Sequence, residues 1–581
     1  MKRLFALLLS VLMIAGLLAG CSDSGEENPS TAPTTSTEPS TAPSYVAPVE
    51  DDDTDYTIEL PLVEDTYEFS YWVPGFAFDD FATYNDNYFF QWMEAQTGIH
   101  INFIEPPRTS ATETFQTMIL SKDYPDFVQN VYSYYSGGPD KAIADGFLLR
   151  LNDYVDQYMP NYKAVVYQDE TIFIQSISDT GNLWGVHQIL DRVQSTADGL
   201  GVRQDWLDRA GLKAEDIITM EDIGNVCRVF KEYTYENVGP LFLSDGALSF
   251  SACLNGAYNV VSPKFMSNGF INKDGVATYS PLEPGMKAYI GQIAEWYAEG
   301  LVNPNYIADA GMYAGEDRWA NSEVGIGEFC YTTDRTYAAA AAKSELLPSP
   351  DFALTAIPTP RLNATDDLKK DIHVCETVSI VNPGFSLGVT TACSNIELAC
   401  KWLDVQWTEE GKHAANWGPY EGEKGDVNAT YYIDETDANG DGHVEVFQPW
   451  MREKYNGNQI FLEAKFVRFI APNYTIWSRS WSSIEKHQIE YMEIWAQTGT
   501  DWMWPSGVTL TSDEGDEASS ILTNCNTAFA EWSAKVITGE KSIDTYDTEL
   551  VPMLQSMNID RAVELYQAAY DRYMARVQYL G

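Results

Sequence analysis

From Tyr67 onward the chain alternates short strand patterns with helical ones, and this alternation admits few architectures. Glu68-Phe69-Ser70-Tyr71-Trp72-Val73 reads as a strand closed by Pro74-Gly75, and Tyr88 to Gln96 as a helix stopped by Thr97-Gly98. Ile99 to Ile104 alternates apolar and polar residues as a second strand, and Thr112 to Ser121 has helical spacing. Asp126-Phe127-Val128-Gln129-Asn130-Val131 is a third strand. Strand, helix, strand, helix, strand implies a parallel sheet with crossover helices, so the predicted class is α/β. Ligands of such sheets gather at the carboxyl ends of the strands.

The amino terminus carries a different signal. Lys2 and Arg3 precede an apolar stretch from Leu4 to Gly20, broken only by Ser10. It is short and weakly flanked for a stop-transfer span, and reads as an export signal. It ends in Leu18-Ala19-Gly20-Cys21, which resembles the lipobox of bacterial lipoproteins. That resemblance implies that Cys21 is diacylated and becomes the first residue of the mature protein; the alternative is an ordinary secretory signal with an incidental cysteine. Two acyl chains suit an anchor, because one alone binds a membrane weakly. Ser22 to Pro48 is rich in Ser, Thr, Pro and Glu, and Glu50-Asp51-Asp52-Asp53 adds a charge run. Such a segment buries too little apolar surface to offset its ordering entropy and is expected to be a solvated tether. The sequence holds no second long apolar run, so the expected location is the extracellular face of the cell membrane, held by lipid.

Against 36 Lys plus Arg stand 85 Asp plus Glu, a net charge of −49. Phosphate backbones and anionic headgroups repel such a body, which excludes nucleic acid as a partner and argues mildly against polyanionic ligands. Apart from Cys21 the cysteines are Cys227, Cys253, Cys330, Cys375, Cys393, Cys400 and Cys525, with no CxxC pair. They read as small buried hydrophobes rather than a disulfide framework. Aromatic residues make up 13% of the chain, mostly for core packing.

Several blocks then resemble one family, in that family's order. Tyr124-Pro125-Asp126-Phe127-Val128 resembles the third strand of ABC-type extracellular solute-binding proteins of the carbohydrate class, and Leu148 to Tyr158 the segment that follows it. Gly181-Asn182-Leu183-Trp184-Gly185-Val186 is similar to the family's strand leading into the hinge. Arg203-Gln204-Asp205-Trp206-Leu207-Asp208-Arg209-Ala210-Gly211-Leu212 is close to the "R-x-D-W-L-D-K-L-G-L" signature of Gram-positive oligosaccharide-binding lipoproteins. Asn395 to Asp404 matches "NPEAA-x-K-W-L-D", and Ile537 to Ile543 and Leu565 to Tyr573 match the closing elements.

The resemblance implies a two-lobe, periplasmic-binding-protein-like fold with hinge crossings and a cleft between the lobes. The expected division is a signal peptide at 1–20, the tether at 21–60, a first lobe from 61–188 with 332–412, and a second from 189–331 with 413–581. Crossings are expected near Val186 to Gly201, Gly327 to Asp334 and Glu410 to Trp417. The implied function is capture of carbohydrate by a monomer that hands it to ABC permease subunits. No catalysis and no required cofactor go with it.

Sugars offer an apolar face and many hydroxyls, so their site wants flat rings and paired hydrogen-bonding groups. Candidates at expected strand ends and crossings are Trp72, Asn130, Tyr132, Trp184, Asp205, Trp206, Asp245, Phe329, Tyr331, Glu376 and Trp417. For Trp206 the competing reading is a packed helix face; Trp72 and Trp417 precede Pro or Gly in expected loops. Trp402, Trp407 and the stripe Tyr566, Tyr570, Tyr573 read as core.

A second pattern is Asp437, Asn439, Asp441, His443 and Glu445, which resembles an EF-hand calcium loop, although Gln448 stands at the position of the bidentate Glu. The competing reading is a polar hairpin tip. Gly384-Phe385-Ser386-Leu387-Gly388 satisfies the serine-hydrolase elbow G-x-S-x-G, but β-branched residues follow where a helix is needed. Two rival functions remain at this point: a surface glycoside hydrolase using the same aromatic groove, and a same-fold receptor for a peptide or other solute.

Overall fold

The computed structural model describes residues 58–580 except 79, 192–193, 196, 236–237, 244–252, 264–266, 309–315, 375–376, 437–442, 456–458 and 477–485. Nine strands build its two main sheets. They are β1 (Tyr67–Trp72), β2 (Ile99–Ile104), β3 (Phe127–Gln129), β4 (Val186–Leu190), β5 (Asp198–Arg203), β6 (Ile326–Cys330), β7 (Leu354–Ala356), β8 (Val381–Val389) and β9 (Asn473–Thr475).

The first sheet has the order β9-β4-β8-β3-β1-β2. β1 runs parallel to β2 in a register from Tyr67 opposite Ile99 to Trp72 opposite Ile104, and β3 is parallel to β1. β8 is antiparallel to both β3 and β4, and β9 is parallel to β4. The carboxyl ends of β1, β3, β4 and β9 therefore share one edge, where the α/β rule puts ligands. Local chemistry sets the crossovers. The helix Tyr88–Thr97 begins where the Asn87 side chain accepts from Phe90 N and ends at Gly98 with φ +74°, a left-handed turn that favours glycine. The second sheet is smaller and antiparallel, in the order β7-β5-β6, and the helix Lys486–Trp495 packs against it.

Each sheet has its own core. Phe69, Tyr71, Phe127, Val186, Leu387 and Trp402 belong to the first, and Leu200, Trp206, Ile326, Phe529 and Leu565 to the second. Two cores joined by crossings make two lobes, as the family resemblance implies. All described residues fall in one unit, 42–581. Among them no helix is long and apolar enough to cross a membrane. The signal segment, Cys21 and most of the tether lie outside the described residues.

The hinge differs from expectation in two of three places. The first crossing falls between β4 and β5, and there Gln194–Ser195 pairs with Thr377–Val378. The return does not fall at Gly327 to Asp334, because those residues form β6 and the start of the helix Asp334–Ala341; it falls between β7 and β8. Nor do Glu410 to Trp417 cross: they lie in the helix Glu409–Trp417, and the chain leaves the first sheet only after β9. Leu354–Ala356, expected in the first lobe, pairs with the second sheet, and Asn473–Thr475, expected in the second, pairs with the first. Strand partners are non-local, so no local pattern reveals which sheet a short strand joins. The G-x-S-x-G match lies inside β8, with Ser386 Oγ donating to Pro383 O at 2.9 Å. No nucleophile elbow forms.

Candidate functional site

A cavity of about 340 Å³ lies between the lobes. One wall comes from the segment after β3, where Tyr132, Tyr135 and Gly137 line it; the other comes from Trp504, Val508 and Tyr566. The first wall starts at Asn130, which takes φ +59° and donates its N–H to Ser386 O. That turn brings the chain off the sheet edge and into the short helix Val131–Tyr134. The Asn130 Oδ1 atom is buried without a partner among the described residues.

Rings on both walls are braced from behind. Tyr132 stacks on Trp184 at a centroid distance of 6.3 Å, and Tyr135 on Phe147 at 5.5 Å. Tyr566 stacks on Phe270 at 3.8 Å, and Trp504 leans on Tyr566 at 5.4 Å. Tyr132, Tyr135 and Trp504 remain half-buried, so part of each ring stays available. The Tyr132 hydroxyl donates to Ser506 O at 2.8 Å, with Val508 O at 3.0 Å, and so links the walls. Burial pushes its phenol far above the usual range, although Arg576 pulls the other way. It is therefore an uncharged donor at physiological pH. None of the described lining residues is a carboxylate, imidazole, thiol or ammonium. Ring faces, hydroxyls and backbone groups at such a site can hold a neutral polyol.

The expected ligand residues divide sharply. Tyr132 lines the cavity, with Trp184 stacked behind it and Asn130 two residues before it. Trp72 does not: its ring is 1% exposed, packed edge-on to Phe115 and Tyr134 between sheet and helix. Trp417 is also 1% exposed, because it ends a helix rather than lying in a loop, and packs against Phe447. Trp206 sits edge-on to Phe230 in the second core, while Phe329 and Tyr331 are buried in the cluster around Tyr491 and Trp495. Asp205 forms a fork with the buried Arg203, at 2.8 and 2.6 Å, which fixes the start of the helix Gln204–Ala210. Asp245 and Glu376 lie outside the described residues. Sequence reasoning missed Trp504 and assigned Tyr566 to core alone. Trp504 is followed by Pro505 and carries the same signal that nominated Trp72.

Three residues of the calcium pattern, His443, Glu445 and Gln448, are among the described residues. Gln448 is fully buried; it donates to Glu423 O and Tyr431 O and accepts from Gly425 N. Glu445 Oε1 lies 3.2 Å from His413 Nε2, and the His443 ring rests on Trp417. These three side chains are committed to the hairpin and its neighbours, and Asp437, Asn439 and Asp441 lie outside the described residues. Gln448 is thus a packing residue rather than a ligand, because its amide satisfies the surrounding backbone.

Comparisons with known proteins now bear on this geometry. No family model matches the chain. The fructooligosaccharide ABC transporter substrate-binding protein FusA of Streptococcus pneumoniae is 21% identical over 523 residues, covering 84% of this chain and 88% of that protein. An HMO binding, ABC-transporter associated solute binding protein from Bifidobacterium longum infantis superposes with a TM-score of 0.68 at 14% identity, over 88% of this chain and 99% of the other. The alginate-binding protein AlgQ2, in a form without calcium ion, gives 0.63 at 17% identity, over 88% and 99%.

The fold is that of the ABC-transporter solute-binding proteins. Within such a solute-binding fold, an inter-lobe cavity bordered by the segment after the third strand is where the α/β rule and the two-lobe architecture both direct a ligand.

Proposed function

We propose that this chain is the extracellular receptor of an ABC importer, taking neutral oligosaccharide between its lobes and passing it unchanged to membrane permease subunits. The inter-lobe cavity carries the reading, with half-buried Tyr132 and Tyr135 facing Trp504 and Tyr566 and no acid–base pair among its described lining residues. Similarity to FusA over most of both chains supports it, as does a structure of FusA in complex with kestose. Glycoside hydrolysis needs two carboxylates flanking the bond, and none is among the described lining residues. Cys21 and the following tether would anchor a monomer to the outer face of the membrane. Calcium does not enter the proposal, because Gln448 and Glu445 are engaged elsewhere.

Titration calorimetry of the full chain against kestose and a panel of neutral oligosaccharides tests the reading. One member is expected to bind, and Trp504→Ala to weaken it about tenfold, the loss of one stacked ring. Absence of heat with every member, or appearance of cleaved sugar, would overturn it.

A further inference from the structure

Trp504 and Leu510 pack against the second core, and the strap between them, 505–509, supplies much of the cavity's second wall. Four consecutive carbonyls of this strap are each held by a side chain. Tyr132 of the first lobe reaches Ser506 O and Val508 O. Arg576 Nη2 donates to Gly507 O at 2.8 Å, and Arg572 Nη2 to Thr509 O at 3.2 Å.

Both arginines converge on one carboxylate of the first lobe. Asp179 Oδ1 accepts from Arg576 Nε at 2.9 Å and lies 2.7 Å from Nη2; its Oδ2 lies 3.4 Å from Arg572 Nε and from Thr509 Oγ1. Glu514 takes the remaining Arg572 donors at 2.9 and 2.5 Å. The Asp179 turn is itself fixed. Asp140, in the helix Gly138–Ala144, accepts from Ser178 Oγ, Thr180 N and Oγ1, and Asn182 Nδ2. Tyr579 closes the arrangement, its hydroxyl donating to Asp179 O while its ring fills the space beside Gly181. With side-chain exposures of 3% for Arg576 and 13% for Asp179, the pair is little screened by salt.

We propose that Asp179 and Arg576 are positioning residues that clamp the strap onto the first lobe and so set the shape of the inter-lobe cavity, a role that rests on the reading of that cavity as the sugar site. Neither side chain lines the cavity; both act through the strap carbonyls and the turn beside it. The clamp sits where the carboxyl-terminal segment, with Tyr579 and Leu580 packed on the first core, reaches back to the first lobe, and it ties the strap to that lobe, so the three crossings alone do not decide how the walls face each other.

Hydrogen exchange and kestose titration on the full chain, wild type against Asp179→Asn, test this, with Arg576→Lys as a milder variant that keeps the charge. Strap amides 505–509 should exchange roughly tenfold faster in Asp179→Asn, and the Kd should rise about tenfold, while exchange in both cores stays as in wild type. Arg576→Lys should fall between the two. Unchanged strap exchange overturns the clamp, as does equal affinity despite faster exchange, and so does loss of protection throughout the second lobe in both variants. If wild type takes up neither kestose nor any other member of the oligosaccharide panel while the strap loosens in Asp179→Asn, the sugar reading fails and the clamp stands. If kestose binds both proteins equally and strap exchange is unchanged, the clamp fails and the sugar reading stands.

Discussion

In the first lobe, buried polar groups gather their neighbours; in the second, ring volumes fit into spaces left by glycine. Asp404, fully buried on the helix Ile396–Val405, accepts from Asn161 Nδ2 and Tyr162 N at 2.8 Å each and from Asn161 N at 3.3 Å. Arg468 donates to Ile470 O and Ala471 O at 2.6 Å, lies over Phe90, and is pushed down to about 9 by burial. Tyr71 ties Gln129 to Ala471, joining two central strands to the turn before β9. The second sheet works differently. A Cβ at Gly201 would overlap the Phe329 ring, and one at Gly199 the Trp495 indole. Polar geometry therefore holds the frame of the first sheet, and close packing holds the second. A hydrogen-bonded frame fails when one donor is orphaned, whereas a packed one fails when volume is added.

The sharpest break of this contrast is Asp404→Ala. It leaves three buried donors without an acceptor and should cost roughly 3–5 kcal/mol, lost from first-lobe amides in hydrogen exchange while second-lobe protection persists. Equal loss in both lobes would erase the distinction.

Acid response comes next. Burial pushes His187 down to about 4, and its ring sits 2.9 Å from Ser176 O. Its folded value lies below the unfolded one of ~6.5, so its contribution is present above pH ~6.5 and lost as pH falls through the folded value. Asp404 runs the other way: burial raises it to about 6, against the pull of its Tyr162 and Asn161 donors. Its contribution is complete below pH ~3.9 and lost as pH rises through the folded value. The two oppose each other between those limits. His187→Asn removes one side, and first-lobe stability should then gain roughly 3 kcal/mol more than wild type on going from pH 6.5 to 4. Urea unfolding at the two pH values reads this, and an unchanged slope would refute it.

Gly201→Ala should cost the second lobe about 1–3 kcal/mol by overpacking, with the first lobe spared. The smallest effect expected is that of EGTA. With Gln448 and Glu445 turned to protein partners, chelation should leave the melting temperature unchanged, whereas a fall of several degrees would assign a cation to the hairpin.

Much of the first sheet is legible in the chain. The strand expected at Ile99 to Ile104 is found at those residues, and the helix expected at Tyr88 to Gln96 runs one residue further. Both are carried by local periodicity and by Gly98. The place of Tyr132 at the cavity was legible as well, because it follows the third strand of a parallel sheet. Trp72 and Trp417 misled for one shared reason: a Pro or Gly one or two residues on marks a backbone turn but not the direction of the preceding ring, and both rings point into their cores. Trp504 carried the same mark, and its ring is half-buried at the cavity.

The chain by itself determined the α/β alternation and the order of family-like blocks. Periodicity, caps and composition are properties of neighbouring residues. Tertiary structure alone decided that β7 and β9 exchange the lobes expected for them, and that four strap carbonyls meet Tyr132, Arg572 and Arg576. Those pairings join residues tens to hundreds of positions apart, and their free energy exists only once both lobes have folded and brought the partners within hydrogen-bond reach.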